Sequence, residues 1–185
     1  FEAGFWLVYV GLCLVAGLFL VKLFAIFHDC THGSMYNYKK ANDWTGRMLA
    51  LFVTMPYAAW KFEHDDHHSH VADIQKIDYG DIPVLTVEKY RDSSPLMKRL
   101  YRIFRQPWFL LLIAPFAYFF VKARMPDLRM FKAPKVLKSV LYTDFWILVI
   151  YLPFVYLFGF WTTLFVFVPG LYIAGVIGIV LFYLQ

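Results

Sequence analysis

Apolar residues in this chain come in long continuous runs, separated by short polar and charged stretches. The runs at about 5–27, 145–158 and 162–184 approach or exceed the roughly 20 residues a helix needs to cross a bilayer, and are expected to span it. Two shorter runs, about 48–60 and 107–121, fall below that length and are expected to be re-entrant or interfacial. A membrane β-barrel would show alternation over about ten residues per strand, which is absent here. The pattern therefore predicts an all-α, polytopic integral membrane protein, with residues 1–185 forming one domain. Within the last run, Gly170, Ala174 and Gly178 recur at four-residue spacing and share one helical face. Such a face suits a packing seam against another helix, or room for a lipid chain.

Composition supports this class. The chain is 61% hydrophobic, where soluble domains are about half apolar. The net charge of +5 matters less than its location. Lys122, Arg124, Arg129, Lys132, Lys135 and Lys138 face only Asp127 between 122 and 138, a bias that marks a cytoplasmic segment. If 107–121 crossed the membrane, that segment would fall outside, so 107–121 is expected to dip in and return. Lys22, near the end of the first span, is expected to snorkel towards the headgroups. No basic stripe on a soluble fold suggests a nucleic-acid partner. The two cysteines, Cys13 and Cys30, imply no disulfide framework, and Cys30 reads as a small packing residue. The first span is too long for a signal peptide and lacks a cleavage site. The chain starts at Phe1 without a methionine and stops at Gln185 directly after an apolar run; it is expected to be truncated at both ends.

The chemistry is concentrated in six histidines, all between residues 28 and 70. His28 and His32 are at i, i+4, while His64, His67 and His68 are at i, i+3, i+4, so each group lies on one helical face. Five imidazoles on two faces at a membrane edge can surround a metal, and imidazole suits iron, zinc, copper or nickel. His70 breaks the spacing and is a weaker candidate. Asp29 and Asp65 sit beside the ligand candidates, where a carboxylate can orient an imidazole through its other ring nitrogen; Glu63 and Asp66 are neighbours of the same kind.

These residues match a known pattern. His28-Asp29-Cys30-Thr31-His32-Gly33-Ser34 resembles the first histidine box of the membrane fatty acid desaturases. Trp60-Lys61-Phe62-Glu63-His64-Asp65-Asp66-His67-His68 resembles their second box. Gly80-Asp81-Ile82 with Leu85-Thr86-Val87-Glu88-Lys89-Tyr90 is similar to the segment after the second box in bacterial acyl-lipid desaturases. The resemblance implies two non-haem iron ions held by histidines of three boxes. It also implies O2 as co-substrate, electrons from a ferredoxin- or cytochrome b5-type carrier, and a membrane lipid or acyl substrate. His28, His32, His64, His67 and His68 match the first two boxes, and some relatives carry a histidine at the position of His70. The third box is expected beyond the final span, so residues 1–185 alone are expected to bind iron incompletely and not to turn over. The implied location is the bacterial inner membrane, with the histidines facing the cytoplasm.

Two rival readings remain at this point. A hydroxylase or ketolase of the same metal class, acting on a carotenoid, sterol or alkane, uses similar boxes. A metal transporter with a histidine-rich loop would place its site near the bilayer midplane, which the helical spacing at a membrane edge disfavours.

Overall fold

A computed structural model of the chain describes residues 2–70, 84–125 and 131–184, with side chains except at His70 and 182–184. The expected turn at Gly80-Asp81-Ile82-Pro83, and Asp127 and Arg129 of the basic stretch, lie outside the described residues. Those described form helices and connections, with no strand among them. Eight helices run in order: α1 (Glu2–His32), α2 (Lys39–Phe52), α3 (Tyr57–His70), α4 (Val87–Asp92), α5 (Pro95–Phe104), α6 (Phe109–Arg124), α7 (Pro134–Phe158) and α8 (Phe160–Leu184). Three are long and apolar enough to cross a membrane: α1, α7 and α8.

α1 carries the first histidine pair on its last turn and stops there for a local reason. Gly33 adopts φ +70°, and the amides of Gly33 and Ser34 donate to the carbonyls of Cys30 and Asp29 at 3.1 and 3.0 Å. This is the glycine stop in which the two residues past the helix satisfy its final carbonyls. Asn42, 2% exposed, then holds the loop before α2, with its side-chain oxygen accepting from the Tyr36 amide at 3.0 Å and its amide donating to the Tyr36 carbonyl at 2.7 Å.

The apolar run at 48–60 is two elements. It comprises the end of α2, a corner at 53–56 and the first turn of α3, with Thr54 at the corner in a left-handed conformation at φ +52°. The corner folds α3 back onto α1. Tyr57 lies so close to α2 that a Cβ on Gly46 would come within 2.1 Å of its ring. Its hydroxyl donates to the Cys30 carbonyl at 2.9 Å and reaches Asp43 at 3.3 Å. Phe27, Cys30, Ala50, Val53, Met55, Tyr57 and Trp60 form the main core beneath the histidines.

α6 is irregular. Two π-helical turns, Phe109–Ile113 and Ala117–Val121, bracket a short α segment containing Pro115. Proline has no N–H to return to the carbonyl four residues back, and its ring crowds that carbonyl. Here that carbonyl is Leu111, which accepts instead from the Tyr172 hydroxyl of α8 at 2.9 Å. α6 is bent 68° from α5. It starts beside the middle of α8 and ends at the histidine end of the molecule, where Lys122 meets Glu63 at 2.8 Å.

α7 begins at Pro134, well before the apolar run at 145–158, because its polar first turns have protein partners. Val136 and Val140 pack on Ala59 of α3, the Ser139 hydroxyl accepts from the Ala58 amide at 2.9 Å, and Asp144 pairs with Arg124 at 2.7 Å. Gly159, at φ +82°, turns the chain into α8. α8 runs in the same direction as α1: the Tyr9 hydroxyl donates to the Phe165 carbonyl at 2.6 Å, and Gly17 lies against Ile173. Both helices end on the histidine side.

Candidate metal centre

The last turn of α1 and the middle of α3 bring four imidazoles to one point. The candidate ligand atoms of His28, His32, His64 and His68 all lie within 4.8 Å of one another. The Nε2 of His64 is the hub, at 3.0 Å from that of His28, 3.0 Å from His32 and 3.1 Å from His68; His28 and His32 are 3.2 Å apart. Neutral imidazoles cannot satisfy this arrangement alone, because one Nε2 carries either one N–H or one lone pair and cannot serve three neighbours. A shared cation can. With metal–imidazole distances of about 2.1 Å, the 3.0–3.2 Å separations among His28, His32 and His64 correspond to ligand angles of roughly 90–100°. The donor set, all imidazole, suits iron among other transition metals.

Electrostatics act in the same direction. The His64 imidazole is held down to about 3, by burial first and then by His28, His68, His32 and His67 around it. It is therefore neutral at physiological pH, the form that can ligate a metal.

His67 stands apart from the four. Its ring centroid lies 5.5 Å from that of His68 and 6.1 Å from that of His64, and it faces the cavity under the cluster. Asp29 approaches the Nδ1 of His28 at 3.4 Å, where a carboxylate can orient a ligating ring. Asp65 pairs with Lys61 at 3.2 Å and Glu63 with Lys122 at 2.8 Å. The Asp66 carbonyl accepts from the Ser69 hydroxyl at 2.7 Å. Cys30 is buried in the core.

Two contacts at the site were not read from the sequence. The Trp60 indole is stacked on His64, with centroids 4.1 Å apart and planes 26° apart, and meets His28 edge-on at 5.7 Å. Lys61 donates to the Thr31 carbonyl at the end of α1 as well as to Asp65, tying the two histidine-bearing helices together. The only sequence signal for either was their place just ahead of the second box.

The cluster forms the head of a cavity of about 410 Å³. His28, His64, His67 and His68 line its top, with Val53 and Thr54 of the α2–α3 corner. Below them the walls are apolar: Leu20, Val21, Phe24 and Ala25 from α1, Leu171, Ala174, Gly175, Gly178 and Leu181 from α8, and Phe119 from α6. The small-residue face of α8 therefore serves two purposes. Gly170 packs against Ala16, while Ala174 and Gly178 leave space.

A family model described as fatty acid desaturase matches residues 4–185. Among curated proteins, a fatty acid desaturase of Bacillus subtilis is 31% identical over 180 residues, covering 97% of this chain and 51% of its own length. An sn-1 acyl-lipid omega-3 desaturase (ferredoxin) of Synechocystis is 33% identical over 37% of the chain and 19% of its own length. An sn-1 oleoyl-lipid 12-desaturase of Arthrospira platensis is 28% identical over 57% of the chain and 30% of its own length. The chain thus spans about half the length, or less, of these relatives. No solved structure matches it. With a histidine cluster capable of holding a metal at the head of an apolar cavity, among helices long enough to span a membrane, this chain belongs to the fatty acid desaturase family.

Proposed function

We propose that the whole protein introduces a double bond into an acyl chain, carried by a membrane lipid or by coenzyme A, by O2-dependent desaturation. The observation that carries this is the convergence of four histidine Nε2 atoms at the head of a largely apolar cavity. His28, His32, His64 and His68 would hold one iron, and His67 would serve the second, together with histidines of a third box outside residues 1–185. Bound iron, with O2 as co-substrate and electrons from a ferredoxin- or cytochrome b5-type carrier, would supply the oxidising power that side chains lack. Two hydrogens leave adjacent methylenes, and O2 with two electrons and two protons becomes two waters.

The residues of this chain supply placement. Burial keeps His64 neutral and available, Asp29 orients His28, and Trp60 fixes the plane of the His64 ring. The apolar walls exclude water and align the chain so that two neighbouring carbons face the imidazoles. The test is the fatty-acid profile of a host expressing the full-length gene, with an electron donor present. A new unsaturated chain that disappears in His64→Ala is the expected result. An oxygenated product would transfer the protein to the hydroxylase class.

The proposed setting is the bacterial inner membrane, with the histidines on the cytoplasmic side. Lys122 pairs with Glu63, next to His64, and the start of α7 packs on α3, which supports a basic stretch on the same side as the metal. The start of α6 beside mid-α8 and its end at Glu63 fit a segment that enters part-way and returns. A cysteine introduced at Lys132 is then expected to react with a membrane-impermeant maleimide only in inverted vesicles. Labelling of intact cells would reverse this topology.

A further inference from the structure

The side chains of α5 divide into two opposed faces. At about 100° per residue, Leu96, Met97, Leu100, Ile103 and Phe104 fall on one side of the helix. Lys98, Arg99 and Arg102, with Arg105 at the C-cap, fall on the other. The helix contains no acidic residue. None of its residues is buried, and Leu96, Met97, Leu100 and Phe104 are exposed. The helix dipole does not account for the charges, because it favours cations only in the last turn, and Lys98 and Arg99 lie ahead of it. Ion pairing does not account for them either: Arg99 and Arg102 meet no carboxylate among the described residues.

The surroundings of α5 say what covers it. Phe104 lies edge-on to Phe109 at the start of α6, with ring centroids 4.7 Å apart. α6 in turn packs beside the middle of α8, a helix long and apolar enough to cross a bilayer. α5 and α6 together have the length and hydropathy of a membrane span, broken by the 68° bend. Trp108 is exposed at that bend, and tryptophan favours the level of the headgroups. Next to α6, the apolar medium at hand is the acyl region of the bilayer. A helix with one apolar and one basic side lies along its boundary, apolar side inward. Lysine and arginine stems then carry their charges outward to the headgroups, where cations select anionic over zwitterionic lipid. We propose that α5 is a docking surface for anionic phospholipid. Leu96, Leu100 and Phe104 lie among acyl chains, and Lys98, Arg99 and Arg102 hold the headgroups. No residue of this surface lines the cavity or belongs to the histidine cluster.

The test uses the full-length protein, its other reactive cysteines replaced, with a bimane label on Leu100→Cys. It is placed in bilayer nanodiscs of mixed phosphatidylcholine and phosphatidylglycerol, with brominated chains on one lipid or the other. Quenching by the two brominated lipids gives the relative affinity of lipid at the label. A label on Leu12→Cys, in a part of α1 without basic residues, is the reference. At Leu100, phosphatidylglycerol is expected to be preferred by about fivefold or more, the equivalent of one surface charge, and at Leu12 the two lipids should be equal. Arg99→Gln with Arg102→Gln should bring the Leu100 ratio close to one, and raised salt should lower it. Arg99→Lys with Arg102→Lys should keep it. A Leu100 label reached by iodide and not by brominated lipid would place α5 in water and overturn the proposal. A label reached by neither would mean that protein covers the face, whether another segment of the full-length chain or a second copy, and would overturn it equally. Quenching by lipid with a ratio that the Gln pair leaves unchanged would overturn the headgroup role and leave the basic side to an acidic protein.

Discussion

His64→Ala in the full-length protein is expected to cost more metal affinity than any other single histidine substitution, and to abolish turnover. The reason is geometric. Only the Nε2 of His64 lies within 3.1 Å of all three other members of the cluster. It is also the buried member, 7% exposed, so its loss opens the site to water as well as removing a ligand. Removing an outer-shell partner of a metal ligand typically costs about 10–100-fold in affinity; removal of the central ligand should exceed that. Iron content of purified protein and competitive titration with a chelator measure the effect. His67→Ala provides the contrast. Its ring lies outside the four-histidine cluster, so the variant should keep one tightly held iron and lose the other. Equal losses in the two variants would mean that the four-histidine point is not a separate binding unit.

How much of this was legible beforehand differs by element. The three long helices and the two histidine faces come from period and length, because a continuous apolar run and an i, i+4 pair need no knowledge of neighbours. The break inside 48–60 does not. It depends on Thr54 at φ +52°, a conformation usually announced by glycine and here held by Arg124, which donates to the Thr54 carbonyl from far along the chain. The early start of α7 was hidden for a related reason. Lys135, Lys138 and Asp144 look like a loop to a hydropathy scan, yet Asp144 finds Arg124 and Ser139 finds Ala58. At the site, Asp65 also pairs with Lys61 at i, i+4. Local spacing puts the candidate histidines on two helical faces; contacts between distant segments hold those helices together.

Trp60 is where those supports converge, and Trp60→Ala is the second large effect expected. The indole is 5% exposed and lies 5.3 Å from Phe27, 5.5 Å from Phe24 and 4.1 Å from His64 between ring centroids. Truncating a buried aromatic of this size costs about 3–5 kcal/mol through lost burial and the cavity left behind. The ion pairs nearby cannot compare. Lys122 is 36% exposed in its pair with Glu63, and such partly solvated pairs contribute about 1 kcal/mol or less. The apparent melting temperature in detergent should therefore fall far more in Trp60→Ala than in Lys122→Met. Stability alone would not separate packing from ligand placement, so Trp60→Phe is the second variant. It keeps an apolar ring among Phe24 and Phe27 but presents less surface to His64. Its melting temperature should recover most of the loss, while the visible spectrum of the Co(II)-substituted protein stays shifted from wild type, because the His64 ring is no longer held in one plane. A Trp60→Phe protein with the wild-type Co(II) spectrum would leave Trp60 as a core residue only, and the orientation of His64 would then rest on its own helix.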